Sequence, residues 1–133
     1  MTKLSHMNIN QLGEGASGSP KPGFALEGDP RFTTWSLLDE ELSTGIWQAT
    51  PGHHKVVRGQ TIIEAFLILE GEIELSEEGQ EQIKRYGAGD LVVIHPGFKG
   101  SWRTLTTVRK LYCTSEFKNP DNGSLPIQSE RGL

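Results

Sequence analysis

Ile62-Ile63-Glu64-Ala65-Phe66-Leu67-Ile68-Leu69-Glu70-Gly71-Glu72-Ile73-Glu74-Leu75 is the stretch on which the fold turns. Residues 72–75 alternate charged and apolar side chains, the period of a half-buried strand. Residues 62–69 are apolar at every position but Glu64, which suits a strand covered on both faces. Gly71 falls between the two parts, where a strand reverses and a positive φ costs glycine little.

The same punctuation continues on both sides. Glu77-Glu78-Gly79-Gln80 reads as a hairpin turn, with Gln82-Ile83-Lys84-Arg85-Tyr86 as its return strand. Leu91-Val92-Val93-Ile94 is a second run suited to two-sided burial. Upstream, residues 45–50 and 54–58 are strands broken by Pro51-Gly52. Downstream, residues 100–104 and 107–114 complete the set. Residues 37–42 fit a helical turn or a short strand. About eight or nine short strands at a spacing of ~8–12 residues predict an all-β sandwich or closed barrel.

Composition agrees. Glycine (16) and proline (7) make up about 17% of the 133 residues, against a usual ~12%. The length is that of one domain. Residues 1–30 carry little to bury, above all the run from Gly13 to Gly23, and are expected to form a mobile arm or a strap over the domain. The folded body is expected over residues 31–117, with a polar tail over 118–133 that opens on the turn cluster Asn119-Pro120-Asp121-Asn122-Gly123. The net charge of −4 carries no footprint for nucleic acid. No apolar run reaches the length of a membrane span, and no signal-peptide core is present near the start. A lone cysteine, Cys113, makes no internal disulfide, which suits a reducing, cytoplasmic setting.

Two segments then narrow the fold. The frame Gly52, Arg58-Gly59-Gln60, Glu64, Gly71 resembles the first motif of the cupin superfamily. Gly89-Asp90-Leu91-Val92-Val93-Ile94-His95-Pro96-Gly97-Phe98-Lys99-Gly100 resembles the second. With residues 45–52, 97–102 and 107–112, the chain looks like the small single-domain cupins grouped with ureidoglycine aminohydrolase-like and ethanolamine-utilisation (EutQ-like) proteins. That resemblance implies an all-β double-stranded β-helix, a jelly-roll-like barrel usually paired as a dimer.

The resemblance also locates a site and shows what is missing from it. Metal-binding cupins converge three histidines and a glutamate inside the barrel. Here Arg58 and Gln60 stand at the first two histidine positions and Gly100 at the last, leaving only Glu64. An arginine does not ligate a cation, and its fixed charge repels one. No resident metal or other cofactor is therefore expected. The remaining metal arrangement is a displaced site of His54, His95 and Glu64, against which both histidines read as rim groups. Arg58 and Glu64 either pair with each other, linked through Gln60, or act on a ligand. In the second case Arg58 offers a forked donor to a carboxylate or amide, and Glu64 is a candidate general base. Trp102 is placed inward by alternation from Gly100; Lys110 and Tyr112 share the inner face of the next strand, with Arg109 outward. Trp47 and Phe66 are further candidates for the cavity wall, where core packing is the competing role. Cys113 reads as a small buried apolar residue.

Binding of a small polar carboxylate- or amide-bearing metabolite in the barrel mouth is the function expected. The resemblance offers two others: a non-catalytic structural or accessory dimer, and a metal-dependent aminohydrolase acting on a ureido compound. The two-sided apolar run at residues 62–69 calls for a second cover, so a twofold homodimer is the expected assembly.

Overall fold

The computed structural model describes residues 2–117. Among them are nine strands and no helix, and so no helix long and apolar enough to cross a membrane. The strands are β1 (Ala16–Gly18), β2 (Ala25–Glu27), β3 (Phe32–Asp39), β4 (Leu42–Ala49), β5 (Gly52–Val57), β6 (Ile62–Glu77), β7 (Lys84–Gly87), β8 (Leu91–Ile94) and β9 (Lys99–Glu116). All belong to one sheet that curls into a half-barrel. The expected all-β cupin-like architecture is the one found.

Two long strands organise it. β6 and β9 run antiparallel side by side, from Ile62 opposite Glu116 to Glu77 opposite Gly100. Each carries two shorter strands on its other edge. β6 holds β8 against residues 64–67 and β7 against residues 72–75. β9 holds β4 against residues 108–115 and β5 against residues 99–104. The sequence divides each long strand in two, at Gly71 and near Thr106, where the structure keeps one continuous strand. The return strand of the hairpin starts later than expected, at Lys84, and residues 37–42 end β3 and turn into β4.

The continuity of β6 needs a bulge, and side-chain phase shows why. Glu64, Phe66 and Ile68 are buried at even positions; Ile73 and Leu75 are buried at odd ones. A strand with strict period two would turn one set outward. The register slips between Ile68 and Ile73, so both sets face the core. Gly71 sits in this slip with φ 92°. It is therefore a bulge residue and not a strand reversal. A Cβ there would strike the Thr107 carbonyl oxygen and lie 2.6 Å from Val108 Cα. Phe66, Ile68, Ile73, Trp102 and Val108 are the most buried members of the core, joined by Ala49, Val56, Leu75 and Ile94.

The N-terminal stretch contributes edge strands. β1 pairs with β3 and β2 with β5. The Trp35 indole donates to the Gly13 carbonyl at 3.0 Å, with the Arg109 guanidinium over the Trp35 ring, 5.0 Å from its centroid. Arg103 on β9 ties down β2 through Glu27 at 2.5 Å. The loop from Ser19 to Phe24 is thereby held beside the open end of the half-barrel. The predicted tail at residues 118–133 lies outside the described residues.

Gly71→Ala is expected to lower stability by more than Gly79→Ala. Gly79 also has a positive φ, 89°, but open space around it, so alanine there carries only the left-handed penalty of ~1–2 kcal/mol. At Gly71 the backbone collision adds to that penalty. Urea midpoints of the two variants measure the difference, and equal midpoints would refute the packing account of the bulge.

Candidate functional site

The inner faces of β3, β4, β5, β6 and β9 meet at a cavity of about 390 Å³, with the loop between β1 and β2 along its mouth. Alternation delivers the side chains. His54, Val56 and Arg58 follow one another inward along β5 and just past it. Glu64 and Phe66 do so on β6, and Lys110, Tyr112 and Thr114 on β9. Register sets Trp47 opposite Lys110, and His54 opposite Trp102.

Glu64 is the only carboxylate among the described lining residues, and both of its oxygens are taken. Arg58 Nη2 donates to Oε1 at 2.5 Å, and Lys110 Nζ donates to Oε2 at 2.7 Å. Glu64 and Lys110 are buried; the Arg58 side chain is 26% exposed. The Lys110 ammonium also lies 4.5–4.6 Å from the ring centroids of Phe66, Trp47 and Trp102. Each ring face attracts a cation, worth ~0.5–2 kcal/mol depending on solvation. Burial pushes the Glu64 carboxyl up, but Lys110 and Arg58 together hold it below the ordinary carboxylate value. Burial lowers Lys110, and Glu64 opposes that effect. The three groups carry a net single positive charge at the cavity floor. Removing one partner of such a buried pair typically costs ~3–5 kcal/mol, because the other charge is left uncompensated.

His54 completes the floor. It is buried, nearly parallel to Trp102 at 6.3 Å and edge-on to Phe32 at 5.1 Å. Its Nδ1 has no hydrogen-bond partner among the described residues. Burial, reinforced by the Lys110 charge, depresses its pKa to about 4, so the ring is neutral near pH 7.

The structure brings together six of the seven expected ligand and base residues: Trp47, Arg58, Glu64, Trp102, Lys110 and Tyr112 all line the cavity. Gln60 does not join them. It is exposed, and its amide lies over the Gly97 turn, where a Cβ would come within 3.0 Å of it. The link from Arg58 to Glu64 is direct and owes nothing to Gln60. Glu64 is also a poor candidate for a general base, since a carboxylate with both oxygens occupied by cations is a weak proton acceptor.

The displaced metal site does not assemble. Ile94 pairs with Glu64 across β6 and β8 and points into the core, so its neighbour His95 points away, onto a second cavity of about 320 Å³. No group of three His, Cys, Asp or Glu residues suited to a metal occurs among the described residues. The donor set does not fit the family's metal either, with Glu64 held by two cations and His54 its only neighbour of ligating type on the cavity floor. Gly100 has another explanation than a lost ligand. A Cβ there would run into the Ser76 carbonyl oxygen, so the position serves the contact of β9 with β6. Cys113 is half-buried on the outer face, not fully buried.

Phe32 and the loop residues Lys21 and Phe24 also line the cavity and escape sequence reasoning. The segment of Lys21 and Phe24 has no periodicity to indicate a face. Lys110 was placed correctly by alternation, but its partner lies 46 positions away, beyond any local signal.

The neutral state of His54 gives stability a pH dependence. The unfolded chain takes up a proton near the ordinary value of 6.5, while the folded ring refuses it until about 4. This contribution is complete above pH 6.5 and is lost as pH falls toward 4. His54→Phe is expected to flatten the fall of the urea midpoint over that window. Parallel curves for wild type and variant would contradict it.

The sequence matches the family of EutQ-like cupin domains over residues 38–112. No curated protein matches it. Among solved structures, a DUF861-family protein of unknown function from Pseudomonas syringae pv. tomato superposes with a TM-score of 0.67 at 26% identity, covering 78% of this chain and 45% of that one. The chain thus spans less than half the length of that relative. A putative ethanolamine utilization protein Q from Salmonella typhimurium superposes with a TM-score of 0.56 at 23% identity, covering 68% and 72% of the two chains. The Clostridium difficile EutQ protein gives a TM-score of 0.56 at 18% identity, covering 65% and 64%. At such identities the last two speak for the fold alone. With more than half of its length in the matched region, the chain belongs to the EutQ-like cupin domain family.

Proposed function

We propose that the protein binds a small carboxylate- or amide-bearing metabolite in the mouth of the 390 Å³ cavity. One observation carries this reading. Lys21, Lys55, Arg58 and Lys110 line the cavity against the single carboxylate of Glu64, in a chain whose net charge is −4. A pocket so opposed in sign to its protein attracts anions.

The cations have different tasks. Lys110 is enclosed by three rings and bound to Glu64, so it serves as a fixed charge below the ligand. Arg58 spends one donor on Glu64 and keeps the rest of its five-donor fork for a ligand. Glu64 holds both cations in place. A metal-activated aminohydrolase reaction finds no support in this donor set, because both oxygens of the one carboxylate are engaged.

Thermal-shift and calorimetric titration with small carboxylates and amides test the proposal. A bound ligand at a hundred times its Kd stabilises the fold by ~2.7 kcal/mol. Arg58→Ala removes charge-assisted hydrogen bonds worth ~1.5–3 kcal/mol, so it is expected to weaken binding roughly tenfold to a hundredfold. Unchanged affinity in that variant would overturn the reading.

A separate observation favours self-association. On the outer face, Leu91, Leu67 and Leu111 stand in one row across β8, β6 and β9, and Val93, Ala65 and Cys113 in the next. Neither row carries a charge, and Leu91 is 73% exposed. We propose that a second copy covers this face through a twofold contact, the commonest closed arrangement. Sedimentation velocity is expected to show a dimer that Leu91→Glu with Leu111→Glu converts to monomer. A wild-type monomer at high micromolar concentration would refute it.

A further inference from the structure

We infer that the ligand is a dianion, with one anionic group on Arg58 and a second at the rim between Lys21 and Lys55. The inference rests on the binding role proposed above and names the class of compound that fills it.

The cavity has two positive poles and aromatic walls. The inner pole is Arg58, which lines the cavity and spends one donor on Glu64. The outer pole is built around Phe24. The Lys21 ammonium lies 5.5 Å and the Lys55 ammonium 6.0 Å from the centre of that ring. Backbone bonds fix the main chain that carries both lysines. Phe24 N–H donates to the Lys21 carbonyl at 2.9 Å, closing the turn that contains Pro22. The Lys55 N–H donates to the Phe24 carbonyl at 2.8 Å, joining that turn to β5.

Solvated lysines ordinarily spread apart to lower their repulsion. Here two are held against one ring, and neither has a carboxylate partner among the described residues. An anion at this rim gains charge-assisted hydrogen bonds from ammonium groups that have no other anionic partner among the described residues. Trp47 and Trp102 also line the cavity and offer apolar and ring contact. The matching ligand has anionic ends and a short apolar or planar body. A dicarboxylate and a carboxylate bearing a phosphate both meet that description, and their shared chemistry is the second anionic group.

Isothermal titration at fixed ionic strength separates the possibilities. The probes are succinate, glutarate and adipate, each against the monocarboxylate of equal chain length, with phosphoglycolate as the phosphate arm. At least one diacid is expected to bind about tenfold more tightly than its monoacid. In the Lys21→Ala, Lys55→Ala double variant that ratio is expected to fall to near one. Both lysines are exposed, so the fold is kept. A tighter phosphoglycolate complex identifies phosphate as the second group, and a tighter diacid complex identifies carboxylate. Monoacids binding as well as diacids and phosphoglycolate in the wild type would overturn the inference and leave the binding role standing. Preference for a dianion that persists undiminished in the double variant would overturn the placement at Lys21 and Lys55. Failure of all these acids to bind would overturn the inference together with the carboxylate form of the role on which it rests.

Discussion

The carboxylate of Glu64 is the point on which the cavity depends. It is the one negative group among its described lining residues, and it holds two cations from different parts of the chain. Arg58 lies just beyond β5 and Lys110 lies on β9, so the pair of contacts crosses the half-barrel and fixes its floor. Buried ions seldom gain stability over a well-packed apolar substitute. Their value here is placement. The ammonium of Lys110 occupies a compartment of three rings and is held there by the Glu64 carboxylate.

The strand pattern was readable because both periodicity and punctuation act locally. Glu72 to Leu75 alternates and its burial alternates with it, whereas Leu91 to Ile94 is apolar throughout although Leu91 and Val93 are exposed on the outer face. The continuity of β6 was also written in the chain. Apolar phase changes from even at Phe66 and Ile68 to odd at Ile73 and Leu75, and a one-residue bulge is the economical way to keep both inside. Gly71 reads as a strand end only when that phase change is ignored. The apparent gap in β9 has a related origin, since Thr106 and Thr107 are exposed and interrupt the apolar signal without interrupting the strand.

The site was legible in part, for a similar reason. Inward residues on regular strands, such as Trp102 and Lys110, follow from alternation. Gln60 does not, because it stands after the end of β5, where period two no longer applies, and the chain turns it outward over Gly97. Lys21 and Phe24 come from a segment with no regular phase at all. Their position is set by pairing of β1 and β2 with distant strands, which no short window of sequence contains.

The arrangement of β9 bears on how the chain reaches this structure. β4, β5 and β6 precede it, yet each pairs with it along most of its length. During synthesis these three strands leave the ribosome with their principal hydrogen-bonding edges unmet. They stay so until β9 has emerged, from residue 99 for β5 to residue 116 for the start of β6, because β9 supplies partners to all of them. Such long-range closure makes folding slow and leaves sticky edges exposed on the nascent chain. The seam that gives the finished protein its cavity is therefore also the interval in which it most needs protection by chaperones.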